Sequence, residues 1–188
     1  LSYYNYSNIT TNKTVYNGWF KNCSFVIDED YTGGEIFYRH VEMSFVNGIS
    51  FKGCDFYVDR NVGRVSQDCI GISAHNAGFT VTSYCDNNFN TCSDDDLKRG
   101  SFTGFKTAIL SANQANNTYT FNVNKNVFNK NDCAIFAKNI HFATIVNNDF
   151  NIGCSSDCNY GVYTDEVSGF CIEENTFRPT ADSCTAYG

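Results

Sequence analysis

The sequence predicts an all-β chain, a right-handed parallel β-helix of about six coils with loop insertions, with residues 1–188 forming one domain. Three observations predict it. The apolar residues are of the strand-forming kind, with 17 Phe and 12 Tyr beside a single Met. One short grammar of residues recurs six times along the chain. A second short apolar strand, with a small residue in it, precedes the later copies at a roughly regular distance.

The composition bears on fold class first. Apolar residues make up 42% of the chain, enough to bury a continuous core, so this is not a disordered tail. Aromatic and β-branched side chains favour the pleated strand. There is 1 Pro against about 25 Asn. Asn tolerates the left-handed backbone region better than other non-glycine residues, so this bias predicts many tight corners of one kind.

The recurring segments end at Phe25, Phe56, Phe89, Phe128, Phe150 and Phe177. Five positions before the Phe stands an apolar residue, namely Phe20, Phe51, Tyr84, Val123, Ile145 or Ile172. Two positions before it stands Asn in four copies (Asn87, Asn126, Asn148, Asn175) and Cys in two (Cys23, Cys54). Residues two apart share one face of a strand, whereas the step from minus five to the Phe is odd and would send it to the opposite face. A left-handed residue at minus two bends the chain and turns the Phe inward again, and Asn suits that corner. Stacked copies then carry Asn above Asn.

The second element is Cys69–Ser73, Thr107–Ser111, Cys133–Ala137 and Tyr160–Thr164. Each copy therefore holds at least two strands and a corner. The last intervals, Phe128 to Phe150 and Phe150 to Phe177, are 22 and 27 residues, which fits one turn of a three-sided β-helix. Leucine-rich repeats share that period, but Leu is nearly absent here. Antiparallel sandwiches lack a fixed recurring corner. Helical patterning is scarce, and Ser93–Arg99 reads as a loop.

Net charge and cysteine usage limit the partners and the compartment. A net charge of −7 makes a poor nucleic-acid binder, because phosphates need Lys and Arg partners. No apolar run approaches the ~20 residues of a membrane span. No signal peptide is visible and no Met begins the chain, so the expectation is a mature product or a segment of a longer protein with neighbouring domains. Ten cysteines suit an oxidising compartment. The pairs Cys85/Cys92 and Cys154/Cys158 sit in loop composition and are disulfide candidates. Cys23 and Cys54 replace the corner Asn in neighbouring copies, where either a bridge or two stacked thiols would fit. Zinc is disfavoured, since no C-x2-C pair occurs and His40, His75 and His141 are scattered.

Gly161-Val-Tyr-Thr164 and Ser168-Gly-Phe-Cys-Ile-Glu-Glu-Asn-Thr-Phe177 resemble the β-helix regions of large secreted Bacteroidetes proteins that end in a type IX secretion sorting domain. Segments 133–153 and 160–177 match well, and the first 60 residues mainly in the corner motif, so the resemblance covers about two thirds of the chain. It implies a right-handed helix and export to the cell surface or medium. It implies no activity, and the sorting domain itself is not in this sequence.

Candidate chemistry is sparse. Asp94, Asp95 and Asp96, with Lys98 and Arg99 after them, have the composition of a Ca2+ loop, although their spacing matches no defined one. No other cofactor is expected. Asp28-Glu29-Asp30 and Asp165-Glu166 are further carboxylate runs of the kind a glycoside hydrolase or polysaccharide lyase would need across a cleft, and each also reads as a solvated turn. The Tyr3, Tyr4 and Tyr6 cluster reads as a capping strand whose rings suit sugar stacking. The sequons at Asn5, Asn8, Asn12, Asn22 and Asn116 are of the sort an Asn- and Thr-rich chain generates by chance. The expected function is a secreted or cell-surface module for adhesion or glycan binding, leaning against catalysis. The alternatives are a polysaccharide lyase or glycoside hydrolase, and a structural spacer of a larger surface protein.

Overall fold

The computed structural model describes residues 2–4, 18–85, 92–93, 96–153 and 159–180. The described residues hold strands and turns and no α-helix. The first three strands are β1 (Ser2–Tyr4), β2 (Trp19–Lys21) and β3 (Ser24–Ile27). Then come β4 (Phe37–Ser44), β5 (Ile49–Lys52) and β6 (Asp55–Val58). A long β7 (Val65–His75) and β8 (Phe79–Thr82) follow. The short antiparallel pair β9 (Tyr84–Cys85) and β10 (Leu97–Lys98) precedes β11 (Gly100–Thr103). The next three are β12 (Thr107–Ala112), β13 (Phe121–Asn124) and β14 (Asn126–Asn129), then β15 (Cys133–Lys138), β16 (Thr144–Val146) and β17 (Asp149–Ile152). The series ends with β18 (Tyr160–Asp165), β19 (Cys171–Glu173) and β20 (Thr176–Pro179).

These strands form three parallel sheets of six strands each. Sheet A has the order β1-β4-β7-β12-β15-β18, sheet B β2-β5-β8-β13-β16-β19 and sheet C β3-β6-β11-β14-β17-β20. The chain visits A, B and C in rotation, and each strand pairs with the strands one rotation earlier and later. The arrangement is consistent with a β-helix. All four apolar segments expected to precede the later copies lie in sheet A, in β7, β12, β15 and β18.

Inward-facing side chains stack in columns, because parallel in-register pairing places like above like about 4.8 Å apart. In sheet C the column is Phe25, Phe56, Phe102, Phe128, Phe150 and Phe177. Successive ring centroids are 4.6, 4.5, 5.1, 4.9 and 4.7 Å apart, with planes within 12° of parallel. In sheet B, Phe20 and Phe51 continue into Val81, Val123, Ile145 and Ile172. Sheet A contributes Val41, Ile72, Ile109, Ile135 and Val162. His40 sits within this core, 7% exposed, its ring 4.6 Å from that of Phe37 and 5.6 Å from that of Phe105.

The third copy departs from the expected alignment. Val81 and Phe102 occupy the column positions that the sequence assigned to Tyr84 and Phe89. Tyr84 instead belongs to the β9–β10 insertion, while Phe89 and Asn87 lie outside the described residues. The register partner of Asn126 is Gly100, where a Cβ would come 2.6 Å from the Asn126 Oδ1 and 2.8 Å from the Cys54 carbonyl oxygen.

The corner mechanism also needs correction. The left-handed residue stands one position before the recurring Asn or Cys, at Asn22, Gly53, Lys125, Asn147 and Glu174, all with φ between 52° and 57°. Asn126, Asn148 and Asn175 do a different job: their amides tie the turns together. The Asn126 N–H donates to Asn148 Oδ1 and the Asn148 N–H to Asn175 Oδ1, both at 2.9 Å. The Nδ2 of Asn148 donates to the Val123 and Val146 carbonyls at 3.0 and 2.9 Å, and that of Asn126 to Val81 and Asn124 at 3.0 and 2.9 Å. Buried backbone groups at the corner need partners, and the Asn amide supplies both donor and acceptor. A second corner, after the strands of sheet A, has left-handed Phe45, Asn76, Asn139 and Glu166 and carries no single sequence signature.

Candidate functional site

Three outward-facing columns run across sheet A. One is Glu42, Ser73, Leu110, Phe136 and Tyr163, the next Arg39, Ile70, Thr107, Cys133 and Tyr160, and the third Ser44, His75, Ala112, Lys138 and Asp165. Along the first of them polar side chains give way to apolar and then aromatic ones. The Phe136 and Tyr163 rings stack at 5.3 Å with planes 12° apart, and Tyr160 meets Tyr163 edge-on at 5.3 Å and 64°. Tyr163 is 41% exposed, so this is a wet aromatic surface on a rigid sheet.

Beside the rings is a groove of about 380 Å³, bordered by Lys106, Thr107, Asp132 and Asp165 as well as the three aromatics. Asp132, directly before β15, is buried with its side chain 3% exposed. Burying a carboxylate requires compensation. Arg60, from the turn after β6, provides it with two 2.9 Å hydrogen bonds, one to each carboxylate oxygen. That fork is the strong geometry for a carboxylate, and the hydrogen bond to Asp132 raises the guanidinium pKa further. Lys106 Nζ lies 3.5 Å from the same carboxylate. At the other end Lys138 Nζ bonds Asp165 at 2.7 Å, and that hydrogen bond is the main cause of its raised pKa.

The sequence pointed to other residues. Asp94 and Asp95 lie outside the described residues, and Asp96 accepts a 2.7 Å hydrogen bond from Ser93 Oγ. Lys98 and Arg99 are drawn away to sheet C: Lys98 bonds Asp55 at 2.7 Å, and Arg99 bonds Asp149 at 2.6 Å and the Asn126 carbonyl at 3.0 Å. Among the described residues no group of three or more His, Cys, Asp and Glu could hold a metal ion. Asp28 accepts from the Asp30 and Tyr31 backbone N–H groups in a turn at 3.2 and 3.0 Å. Of the Asp165-Glu166 pair, Asp165 joins the groove and Glu166 forms a left-handed corner.

The histidines stay apart in role. His75 meets Ser73 Oγ at 3.2 Å and His141 meets Ser168 Oγ at 2.7 Å. His40 Nε2 donates to the Tyr57 carbonyl at 3.0 Å, while burial lowers its pKa from 6.5 to about 4. Cys85 and Cys92 form a disulfide with Cα atoms 5.7 Å apart, and Cys154 and Cys158 lie outside the described residues. Cys23 and Cys54 are stacked thiols without a bridge, and burial raises the Cys54 pKa. Of the sequons, Asn22 and Asn116 fall on left-handed turn positions, and Asn5, Asn8 and Asn12 lie outside the described residues. Tyr3 and Tyr4 lie in β1, the first strand of sheet A, and Tyr6 lies outside the described residues.

The sequence missed the groove. Phe136, Tyr160 and Tyr163 were inside segments read as short apolar strands, and period-2 alternation from Ile135 and Val162 is the signal that would have turned Phe136 and Tyr163 outward. Nothing local marks the Arg60–Asp132 pair, which spans 72 residues. No helix of the described residues is long and apolar enough to cross a membrane. No family model, curated protein or solved structure matches the chain.

Proposed function

We propose that this chain is a secreted or cell-surface module, a right-handed parallel β-helix of about six coils, that binds glycans on sheet A without transforming them. The observation that carries the reading is the Phe136–Tyr163–Tyr160 aromatic surface beside a polar groove. A sugar ring offers an apolar face of C–H groups and an edge of hydroxyls. Flat rings fixed on a sheet take the first, and fixed carboxylates and ammonium groups take the second, at little entropic cost because neither side reorganises. Asp165 is held in place by Lys138, is partly exposed and keeps further lone pairs with which to accept from hydroxyls, whereas the buried Asp132 serves to anchor Arg60 at the groove wall. The Cys85–Cys92 disulfide supports an oxidising location, as does the resemblance to exported β-helix proteins.

The test is a glycan-array and polysaccharide-degradation screen on the purified chain, with and without Ca2+, repeated with Tyr163→Ala. Binding weakened about tenfold by the substitution, with no new reducing ends or unsaturated products, is the expected result. Product formation would replace binding by a lyase or hydrolase reading centred on the same groove. Silence in both assays would leave a structural spacer.

A further inference from the structure

We propose that the first two layers of sheet B form a second binding site, which takes an acid group, carboxylate or sulfate, carried on a sugar. The acid group lies between Lys21 and Lys52, and the sugar lies beside Trp19. The site is separate from the sheet A groove, and only the sugar part of its ligand rests on the glycan reading.

Sheet B begins with β2 and β5. Their register sets Trp19 beside Ser50 and Lys21 beside Lys52. All four face outward, because Phe20 and Phe51 between them pack into the core. Two like charges side by side on neighbouring strands repel and cost stability. Elsewhere the chain matches its cations with carboxylates: Lys98 bonds Asp55, Arg99 bonds Asp149 and Lys138 bonds Asp165. Among the described residues neither Lys21 nor Lys52 forms an ion pair, on a chain whose net charge is −7. Each lies over a ring instead, Lys21 Nζ 4.4 Å from the centroid of Tyr84 and Lys52 Nζ 5.6 Å from that of Trp19. Such contacts are weak at an exposed site and leave ammonium N–H donors for an incoming anion.

Space for the sugar adjoins the pair. Trp19 is 65% exposed and borders a groove of about 340 Å³ with Gly18, Gly48, Ser50 and Lys52. The two glycines put no side chain into that space. A sugar unit there meets an apolar wall at the indole, a hydroxyl at Ser50 and an ammonium at Lys52. The β9–β10 insertion flanks the lysines on another side. A Cβ on Gly53, the residue after Lys52, would come 2.6 Å from the Tyr84 ring and 2.8 Å from the Lys98 side chain. Lys98 adds no net charge here, since Asp55 matches it at 2.7 Å. The excess positive charge is that of Lys21 and Lys52, which is the charge an acid group requires.

Trp19 is the single Trp of the chain, so its fluorescence reports on this site and not on sheet A. The unaltered chain is titrated with oligogalacturonate and its methyl ester, and with dextran sulfate and dextran, with calorimetry in parallel. At least one acidic member should change the Trp19 emission saturably and bind about tenfold more tightly than its neutral counterpart at about 50 mM salt, and the preference should shrink at about 500 mM. Which acid does so separates a uronate ligand from a sulfated one. Lys21→Gln and Lys52→Gln should each weaken acidic binding about tenfold. Lys130→Gln, which removes the same charge from the turn after β14, and Tyr163→Ala, on sheet A, should leave the emission change in place. An emission change without neutral binding anywhere would keep this site and remove the sheet A reading. No emission change with either acid would overturn the proposal, while neutral binding still weakened by Tyr163→Ala would leave the glycan reading standing. Acidic binding that survives both lysine substitutions, or that falls equally in Lys130→Gln, would overturn it too. The emission is read on the unaltered chain, so it does not rely on any variant's folding.

Discussion

Phe150→Ala tests the stacked core. Phe150 is 1% exposed and lies between Phe128 at 4.9 Å and Phe177 at 4.7 Å, with all three rings nearly parallel. Removing the ring forfeits about 2–3 kcal/mol of burial. It also strips one face each from Phe128 and Phe177, and the in-register backbone on either side keeps the gap from closing. A residual void of roughly 50–100 Å³ at ~24 cal/mol per Å³ adds about 1–2 kcal/mol, for a total of about 3–5 kcal/mol. Urea unfolding followed by circular dichroism should show the midpoint falling at unchanged slope. Phe142→Ala serves as the control, since that ring is 76% exposed, and should cost less than about 0.5 kcal/mol. A loss below about 1 kcal/mol for Phe150→Ala would mean that the column does not stabilise the fold, and the register derived from it would have to be abandoned.

Three further outcomes follow from the same geometry. His40 has a folded pKa of about 4 against 6.5 when unfolded, so the unfolded chain takes up its proton first; the contribution is complete above pH 6.5 and lost as the pH falls toward 4, about 3 kcal/mol in all. Urea midpoints measured across that range should fall more steeply in the unaltered chain than in His40→Phe, which separates the histidine from the carboxylates; equal slopes would refute the assignment. Asn148→Ala should cost about 3 kcal/mol, because it removes one amide and strands the Val123 and Val146 carbonyls and the Asn126 N–H, whereas Asn122→Ala, on an exposed position of β13, should be nearly silent in the same titration. Arg60→Ala should destabilise by roughly 3 kcal/mol by leaving Asp132 buried with Lys106 alone, and adding Asp132→Asn should recover much of it in a double-mutant cycle.

Much of this fold was legible because the repeat is carried by large, identical side chains. The column residues Phe25, Phe56, Phe128, Phe150 and Phe177 were all found from spacing, and so were the sheet A segments. Phe102 was missed because the sequence Thr82–Phe89 imitates the spacing of the repeat, while the residue that stacks on Phe56 lies after β10. Spacing alone cannot tell which of two Phe residues joins the column. The left-handed corners were misplaced by one residue for another reason. Propensity favours Asn there, yet Lys125 and Glu174 adopt the strained conformation and the Asn next to them is retained for its buried amide. Pairing between layers overrides the local preference, which amounts to only about 1–2 kcal/mol. The groove was least legible, since it depends on which face Phe136 presents and on an ion pair between distant residues.

Gly100 has a further consequence. A column of identical rings cannot count: shifting one layer against the next by a full rotation would leave Phe above Phe and Asn above Asn, so a uniform stack has many near-equivalent misassembled states. At Gly100 the equivalence ends. Its neighbours in the corner column, Cys54 and Asn126, both carry side chains, and the Asn126 amide oxygen comes within 2.6 Å of where a Gly100 Cβ would be. Among the described layers only this one has that recess, so only this one can accept the first Asn of the ladder beside it. The residue with no side chain acts as an address, giving an otherwise repetitive chain a fixed origin from which the layers above and below it are numbered.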